Sequence, residues 1–350
     1  MITLMVVVFM LGYIAIAMEH QLRINKSATV ITLGVILWTM YIFIGDAQIV
    51  EINKESFDFF LKLHPEALKN SLSSQVNSFV GNYQILNHLG DIASILFFLL
   101  CAMTIVELID SHGGFAIITK RITTKNKRKL LWIVGILSFF LSSVLDNLTT
   151  SIVMVMLIRK LLPERTDRWI FGGVVVIAAN SGGAWSPIGD ITTIMLWINE
   201  NVTSAKLLEH LFLPSLVSLL VPLAILSKKI KGGIIPDKVE TYEEAEHHLP
   251  YRFRLSIFIC GVGGLIFVPV FKSITHLPPF MGILLSLGFL WIFSEIIYNL
   301  FRRTVSHGMR RIPFILTKID MPTILFFLGI LMAVAALESV GVLHSAANFL

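Results

Sequence analysis

Ser142-Ser143-Val144-Leu145-Asp146-Asn147-Leu148-Thr149-Thr150-Ser151 lies in the middle of an apolar stretch that runs from Leu130 to Ile158. A second polar island, Asn180-Ser181-Gly182-Gly183-Ala184-Trp185-Ser186-Pro187-Ile188-Gly189-Asp190-Ile191-Thr192-Thr193, interrupts the next apolar stretch, Trp169 to Trp197. A carboxylate at membrane depth costs about 2.5–3.5 kcal/mol on insertion scales, so an intramembrane aspartate marks a functional site by default. The two islands decide how the rest of the chain is read.

Working outward, the flanking charges set the topology. Lys127-Arg128-Lys129 precede the first stretch, and Arg159-Lys160, Arg165 and Arg168 follow it, so both ends carry the basic signature of cytoplasmic loops. Lys120, Arg121 and Lys125, with no acid among them, strengthen the first flank. A segment that enters and leaves on one side must cross twice or turn back midway, and two crossings need roughly 40 residues at about 20 each. The stretch is too short. Its spacing predicts a re-entrant hairpin over 130–158, descending to about Val144, returning from about Leu148, with Asp146-Asn147 at the tip. Irregular backbone at this depth is tolerated only where it is buried in protein or lines a wet cavity, so the tip is expected to line a site. In the second island, Gly182, Gly183, Pro187 and Gly189 predict a broken helix over 169–199, unwound from Asn180 to Asp190.

Composition agrees with a membrane protein. The chain is 55% hydrophobic and 15% charged, with a mean hydropathy of +0.79, whereas soluble domains carry about 25% charged residues. Its net charge of +5 comes from Lys and Arg in short loops, which is membrane topology and not a nucleic-acid surface. Cys101 and Cys260 lie inside apolar runs with no CxxC spacing, so neither a disulfide framework nor a zinc site is indicated. No HExxH or GxSxG occurs, which argues against an enzyme, and no cofactor is called for.

In chain order, spans are expected at Ile2 to Met18, Ala28 to Gly45, Ile92 to Ile109, Leu211 to Leu226, Leu255 to Phe271, Met281 to Leu300 and Thr323 to Leu343. Phe57, Phe59, Phe60, Leu61 and Leu63 predict a short helix lying on the membrane surface. Asp91 and Glu107 fall near the two ends of the third run. Arg302, Arg303, Arg310, Arg311 and Lys318 mark a cytoplasmic loop, and the acidic run Glu240 to Glu246 reads as a solvated face, with His210, His276 and His247-His248 in loops.

An internal repeat adds architecture. Asp91-Ile92-Ala93-Ser94-Ile95-Leu96-Phe97-Phe98-Leu99 recurs 229 residues later as Asp320-Met321-Pro322-Thr323-Ile324-Leu325-Phe326-Phe327-Leu328, and loop charges send the two copies in opposite directions. The fold class expected is therefore an all-α polytopic membrane protein, an inverted-repeat transporter fold with a re-entrant hairpin and a broken helix. Residues 1–227 form the first repeat, 228–254 a cytoplasmic loop, and 255–350 the start of a second repeat. That repeat is expected to be incomplete, because a second hairpin tip would fall at about 375, past Leu350.

The two islands, in this order, resemble the paired motifs of the NhaD-type sodium/proton antiporters, members of the ion transporter superfamily. The similarity is dense from Lys129 to Asn199. It implies exchange of sodium or lithium for protons by a multi-pass protein of the bacterial inner membrane or, second, a plastid envelope. Homo-oligomerisation stays open.

The residues suit that chemistry. Sodium takes several hard oxygen ligands, and Asp146 and Asp190 supply carboxylates for the transported ion. Asn147 and Asn180 supply amide oxygens, and Thr149, Thr150, Thr192 and Thr193 hydroxyls. Ser142, Ser143, Ser181, Gly182, Gly183, Ser186 and Pro187 are expected to support the site, with Glu107 on a proton path. Desolvation favours the neutral form of a carboxyl group and a cation the charged form, so one group holds either a proton or a sodium ion. Each aspartate also reads, as the alternative, as a helix N-cap, and the hydroxyls as partners for freed backbone groups. A sodium- or proton-coupled anion transporter of the same fold, for arsenite or a dicarboxylate, is the alternative, although an anion site favours helix N-termini over carboxylates. A cation channel is the third reading.

Overall fold

The structure is a computed structural model that describes residues 1–119, 122, 124, 126–230, 232, 233, 250–300, 312–343 and 345. Lys120, Arg121, Lys125, Arg302, Arg303, Arg310, Arg311, the run Glu240 to Glu246 and His247-His248 lie outside the described residues, as does most of the 228–254 loop.

Among the described residues the regular elements are helices. The longer ones are α1 (Ile2–Ala17), α2 (Lys26–Ile42), α3 (Asp46–Ile52), α4 (Lys54–Leu63), α5 (Leu72–Ser111, through a π turn at Val80–Gln84), α6 (Lys127–Leu145) and α7 (Asn147–Leu161). They continue with α8 (Arg165–Ala184), α9 (Ile191–Ile198), α10 (Ser204–Lys229), α11 (Tyr251–Thr275), α12 (Pro279–Leu300) and α13 (Met321–Ser339). Six of them, α5, α6, α10, α11, α12 and α13, are long and apolar enough to cross a bilayer; α2 and α3, bent by 104°, reach that length only when taken together. This is an all-α polytopic membrane protein. The first run is a shorter apolar helix of 16 residues.

By its contacts the chain falls into two compact units, Met1–Leu96 with Asp320–Leu350, and Phe97–Ile319. In the first, α2 and α13 cross with their backbones close together. A Cβ added at Gly329 would stand 2.7 Å from the Ile31 amide nitrogen, so only glycine fits there. The core gathers Leu37, Tyr41, Ile49, Phe79, Ala333 and Ala336. Phe57 and Phe60 join it, each 3% exposed, with ring centroids 5.2 and 5.6 Å from Phe79. The expected short helix forms, and one face of it closes the protein core, because residues three apart share a face, while Phe59 and Leu63 point outward.

Asp91 sits inside the continuous helix α5, because polar sequence from Leu72 onward stays helical through the π turn. Its repeat partner Asp320 instead caps α13, accepting from the Thr323 amide at 3.3 Å. The two aspartates in register therefore do different work.

In the second unit α6 and α7 form a closed hairpin. Asn126 caps α6 by accepting from the Arg128 and Lys129 amides. Lys127, on the first turn, reaches past the end of α7 to Asp167 Oδ2 at 2.6 Å and Glu164 Oε2 at 3.3 Å. Leu130, Leu131 and Val134 pack in one core with Leu157, Ile158, Leu162, Phe171 and Val175. The chain thus returns to the place where it entered. The legs are longer than the apolar count suggests, 19 and 15 residues, because the basic residues at each end still wind into helix. At 1.5 Å per residue α6 is roughly 28 Å long, the length of a span.

Lys127 and Asp167 have side chains only 12% and 13% exposed. Replacing Lys127 by Met leaves Asp167 without its cation and is expected to cost about 2 kcal/mol, below the ~3–5 kcal/mol of a fully buried pair. Thermal unfolding of the detergent-purified protein reads this directly; an unchanged melting temperature would show that the hairpin is closed by its apolar core alone.

Candidate functional site

The hairpin turns on one residue. Asp146 is the single non-helical position between α6 and α7, with φ +75° and ψ 156°. That region belongs almost to glycine alone and costs an L-residue about 1–3 kcal/mol. Side-chain bonds offset the strain. Oδ1 accepts from the Thr149 amide at 2.8 Å, and Oδ2 from the Thr149 hydroxyl at 2.8 Å. Asp146 is therefore a true N-cap of α7 as well as the carboxylate at the hairpin tip.

Asn147 ties the hairpin to the broken helix. Its Nδ2 donates to Asp190 Oδ1 at 2.7 Å and to Asn180 Oδ1 at 3.2 Å. Asn180 spends its own Nδ2 on the Val176 carbonyl one turn back, at 2.8 Å, which aims Oδ1 at Asn147. Asp190 precedes α9 in an extended conformation and makes no capping bond to that helix. Its Oδ2 accepts from the Thr192 hydroxyl. Of the two aspartates, Asp190 is the one whose carboxylate is held by side chains only.

The break itself is shorter than expected. α8 stays helical through Ala184, and the unwound part begins at Trp185, not Asn180. Gly182 and Gly183 are inside the helix, so their role is not to break it. A Cβ at Gly182 would lie 2.1 Å from the Phe139 carbonyl oxygen, and one at Gly183 2.3 Å from the Gly189 oxygen. They let α8 press its backbone on α6 and on the returning break. Thr193 closes the break by donating to the carbonyls of Asp190 at 2.8 Å and Ser186 at 3.0 Å. Pro187 is buried within it, where a residue without an N–H leaves no orphan donor.

The serines act as struts. Ser142 donates to the Ala179 carbonyl at 2.6 Å, binding α6 to α8, and Ser143 to Phe140 at 2.8 Å within α6. Ser181 bonds the hydroxyl of Ser218 on α10 at 3.0 Å, and Ser186 accepts from the Ile188 amide at 3.3 Å. Thr150 is fully buried, and its hydroxyl has no partner among the described residues. A buried hydroxyl without a partner normally marks a place where a water or an ion belongs.

Glu107 stands apart from this group. It pairs with Lys318 at 3.1 Å and accepts from Ser111 at 3.0 Å. Two contributors escaped the sequence reading. Ser218 carries no signal beyond its hydroxyl. Lys272, on α11, donates to the Trp197 carbonyl at the end of α9 at 2.9 Å and lies 5.1 Å from the centroid of the Trp197 ring. A lone lysine at the end of an apolar run looks like any interfacial anchor until the fold shows what it holds.

Asp190, Asn147, Asn180 and Thr192 thus meet across the two helix breaks with Asn147 as the joint, while the neighbouring Asp146 carboxylate bonds Thr149. Such a donor set suits a small hard cation that competes with a proton for the same oxygens. The chain is similar to known transporters. The family model described as citrate transporter, CitMHS, matches residues 13–350. Sodium/proton antiporter 1 of Arabidopsis thaliana is 42% identical over 347 residues, covering 99% of this chain and 54% of the relative. Sodium/proton antiporter 2 of the same plant is 39% identical over 351 residues, 99% of this chain and 74% of the relative. The Na(+)/H(+) antiporter NhaD of Alkalimonas amylolytica is 28% identical over 368 residues, 97% of this chain and 68% of the relative. This chain spans about half the length of the first of these.

Proposed function

Since this chain belongs to the CitMHS transporter family and, within it, to the NhaD-type sodium/proton antiporters, we propose that it exchanges sodium or lithium for protons across a membrane by alternating access. The observation that carries this reading is the Asn147 amide bonded to Asp190 and Asn180, two breaks joined at one set of hard oxygens. Asp190 is the primary exchanging group: ionised, it holds the cation; neutral, it carries the proton. Asp146 is the second carboxylate. Because it also caps α7, its protonation weakens the cap and so links proton binding to the geometry of the hairpin. Thr149, Thr150, Thr192 and Thr193 serve as ligands or supports. Glu107, paired with Lys318, serves at most on a proton path outside this cluster.

The architecture proposed with this function is two inverted repeats, 1–227 and the segment beginning at 255, joined by the 228–254 loop. The bilayer proposed is the bacterial inner membrane; the Arabidopsis relatives favour a plastid envelope as the second reading. Assembly as a homo-oligomer belongs to the same proposal.

The test is proton release on sodium addition, read by a pH-sensitive dye in proteoliposomes holding the full-length protein or its Asp146→Asn variant. Sodium-dependent dequenching that disappears in the variant is the expected result. Dequenching retained in the variant would reduce Asp146 to a helix cap. No response to sodium, lithium or potassium in the parent would sink cation exchange. It would favour the second reading, coupled anion transport, to which the citrate description of the family model points.

A further inference from the structure

We propose that the groove between α7 and α8, at the basic end of the hairpin, is a binding site for one anionic phospholipid, its phosphate held by arginines and an acyl chain laid over a pair of glycines. The groove measures about 540 Å³. On α8 its wall is a single stripe, Arg165, Arg168, Trp169, Gly172, Gly173 and Val176, whose spacing of three and four residues puts all of them on one helix face. Val155 and Arg159, four apart on α7, form the facing wall. Charge lies at one end of this groove and apolar surface at the other, which is the polarity of a phospholipid.

Three features favour an occupant. Arg159 and Arg165 are exposed and have no acidic partner among the described residues, since Glu164 and Asp167 are taken by Lys127. Arg168 donates to the Pro163 carbonyl at 2.6 Å, which orients its guanidinium, while its Nε is buried without a partner among the described residues. Gly172 and Gly173 do not serve close helix packing: a Cβ at either would meet nothing within 4 Å. Two adjacent glycines weaken a helix, and here they leave an open trough in its surface. Trp169, 71% exposed, stands where the basic and apolar ends meet, the position tryptophan favours at the lipid headgroup level. Basic pockets between transmembrane helices on the cytoplasmic side are suited to anionic headgroups, and the flanking charges assign this end to that side.

Quenching of Trp169 tests the proposal. The full-length protein is reconstituted in phosphatidylcholine vesicles containing either brominated phosphatidylglycerol or brominated phosphatidylcholine at equal mole fraction. The Trp169 signal is the difference from a Trp169→Phe variant. Brominated phosphatidylglycerol is expected to quench preferentially, with apparent affinity falling about fivefold for each arginine replaced by glutamine. Gly172→Leu with Gly173→Leu fills the trough and is expected to remove the preference while leaving all three charges. Equal quenching by both lipids would overturn the site in favour of ordinary annular contact. Preference retained in both the arginine and the leucine variants would overturn it too. Preference abolished by inorganic phosphate would show a soluble-anion site in its place.

Discussion

Gly182→Ala is expected to remove the folded protein almost completely from detergent extracts. The added Cβ would stand 2.1 Å from the Phe139 carbonyl oxygen, 2.7 Å from its carbon and 2.8 Å from its Cα. All three atoms are backbone of α6, so no side chain can turn aside; the two helices must separate. Overpacking usually costs about 1–3 kcal/mol, and a clash with rigid backbone belongs at the top of that range or beyond it. Separation would also break the bond from Ser142 to the Ala179 carbonyl, which spans the same contact. Gly263→Ala on α11 is the control. Its Cβ would meet nothing within 4 Å, and alanine favours helix over glycine by about 1 kcal/mol. Size-exclusion profiles and thermal unfolding of the two variants should diverge sharply. A monodisperse Gly182→Ala protein with parental stability would mean that α6 and α8 do not pack as described.

Asp190→Asn is expected to abolish sodium-dependent proton release while leaving the fold intact. The substitution removes the charge that a desolvated cation needs, a loss of about 3 kcal/mol or more, which corresponds to roughly 100-fold or more in affinity. Folding should be little affected, because Asp190 caps no helix amide and its Oδ1 partner, the Asn147 amide, can still donate to an asparagine oxygen. The informative measurement pairs the pH-dye assay with thermal unfolding of the same preparation. Exchange at parental rates in Asp190→Asn would remove this residue from the mechanism. A collapse in stability would show that it is a structural bond and not an exchanging group.

Much of the fold was written in the chain. Basic residues on both sides of Leu130 to Ile158 predict a hairpin, and in the structure Lys127 at the start of α6 bonds Glu164 and Asp167 just past the end of α7. Gly and Pro between Gly182 and Gly189 predict the break that follows α8. These features are legible because the cost of placing a charge or an unpaired peptide group in lipid depends on the residue itself and on its position along the chain. Where the break begins was not legible. Gly182 and Gly183 read as helix breakers by propensity, whereas the fold uses them for close approach, a property of the neighbouring backbone. Asp91 and Asp320 match in register, yet one lies within a helix and the other caps one.

The sequence by itself determined that this is an all-α membrane protein with two polar islands set in its apolar runs, because polar groups in apolar runs carry a transfer penalty that pattern alone reveals. Only the tertiary structure decided how the islands divide their work. Asn147 meets Asp190 across 43 residues, Asp146 spends its carboxylate on α7, and Lys272 holds the far end of α9 across 75 residues. Such bonds depend on helix packing and on which oxygens face each other, and no spacing along the chain encodes that.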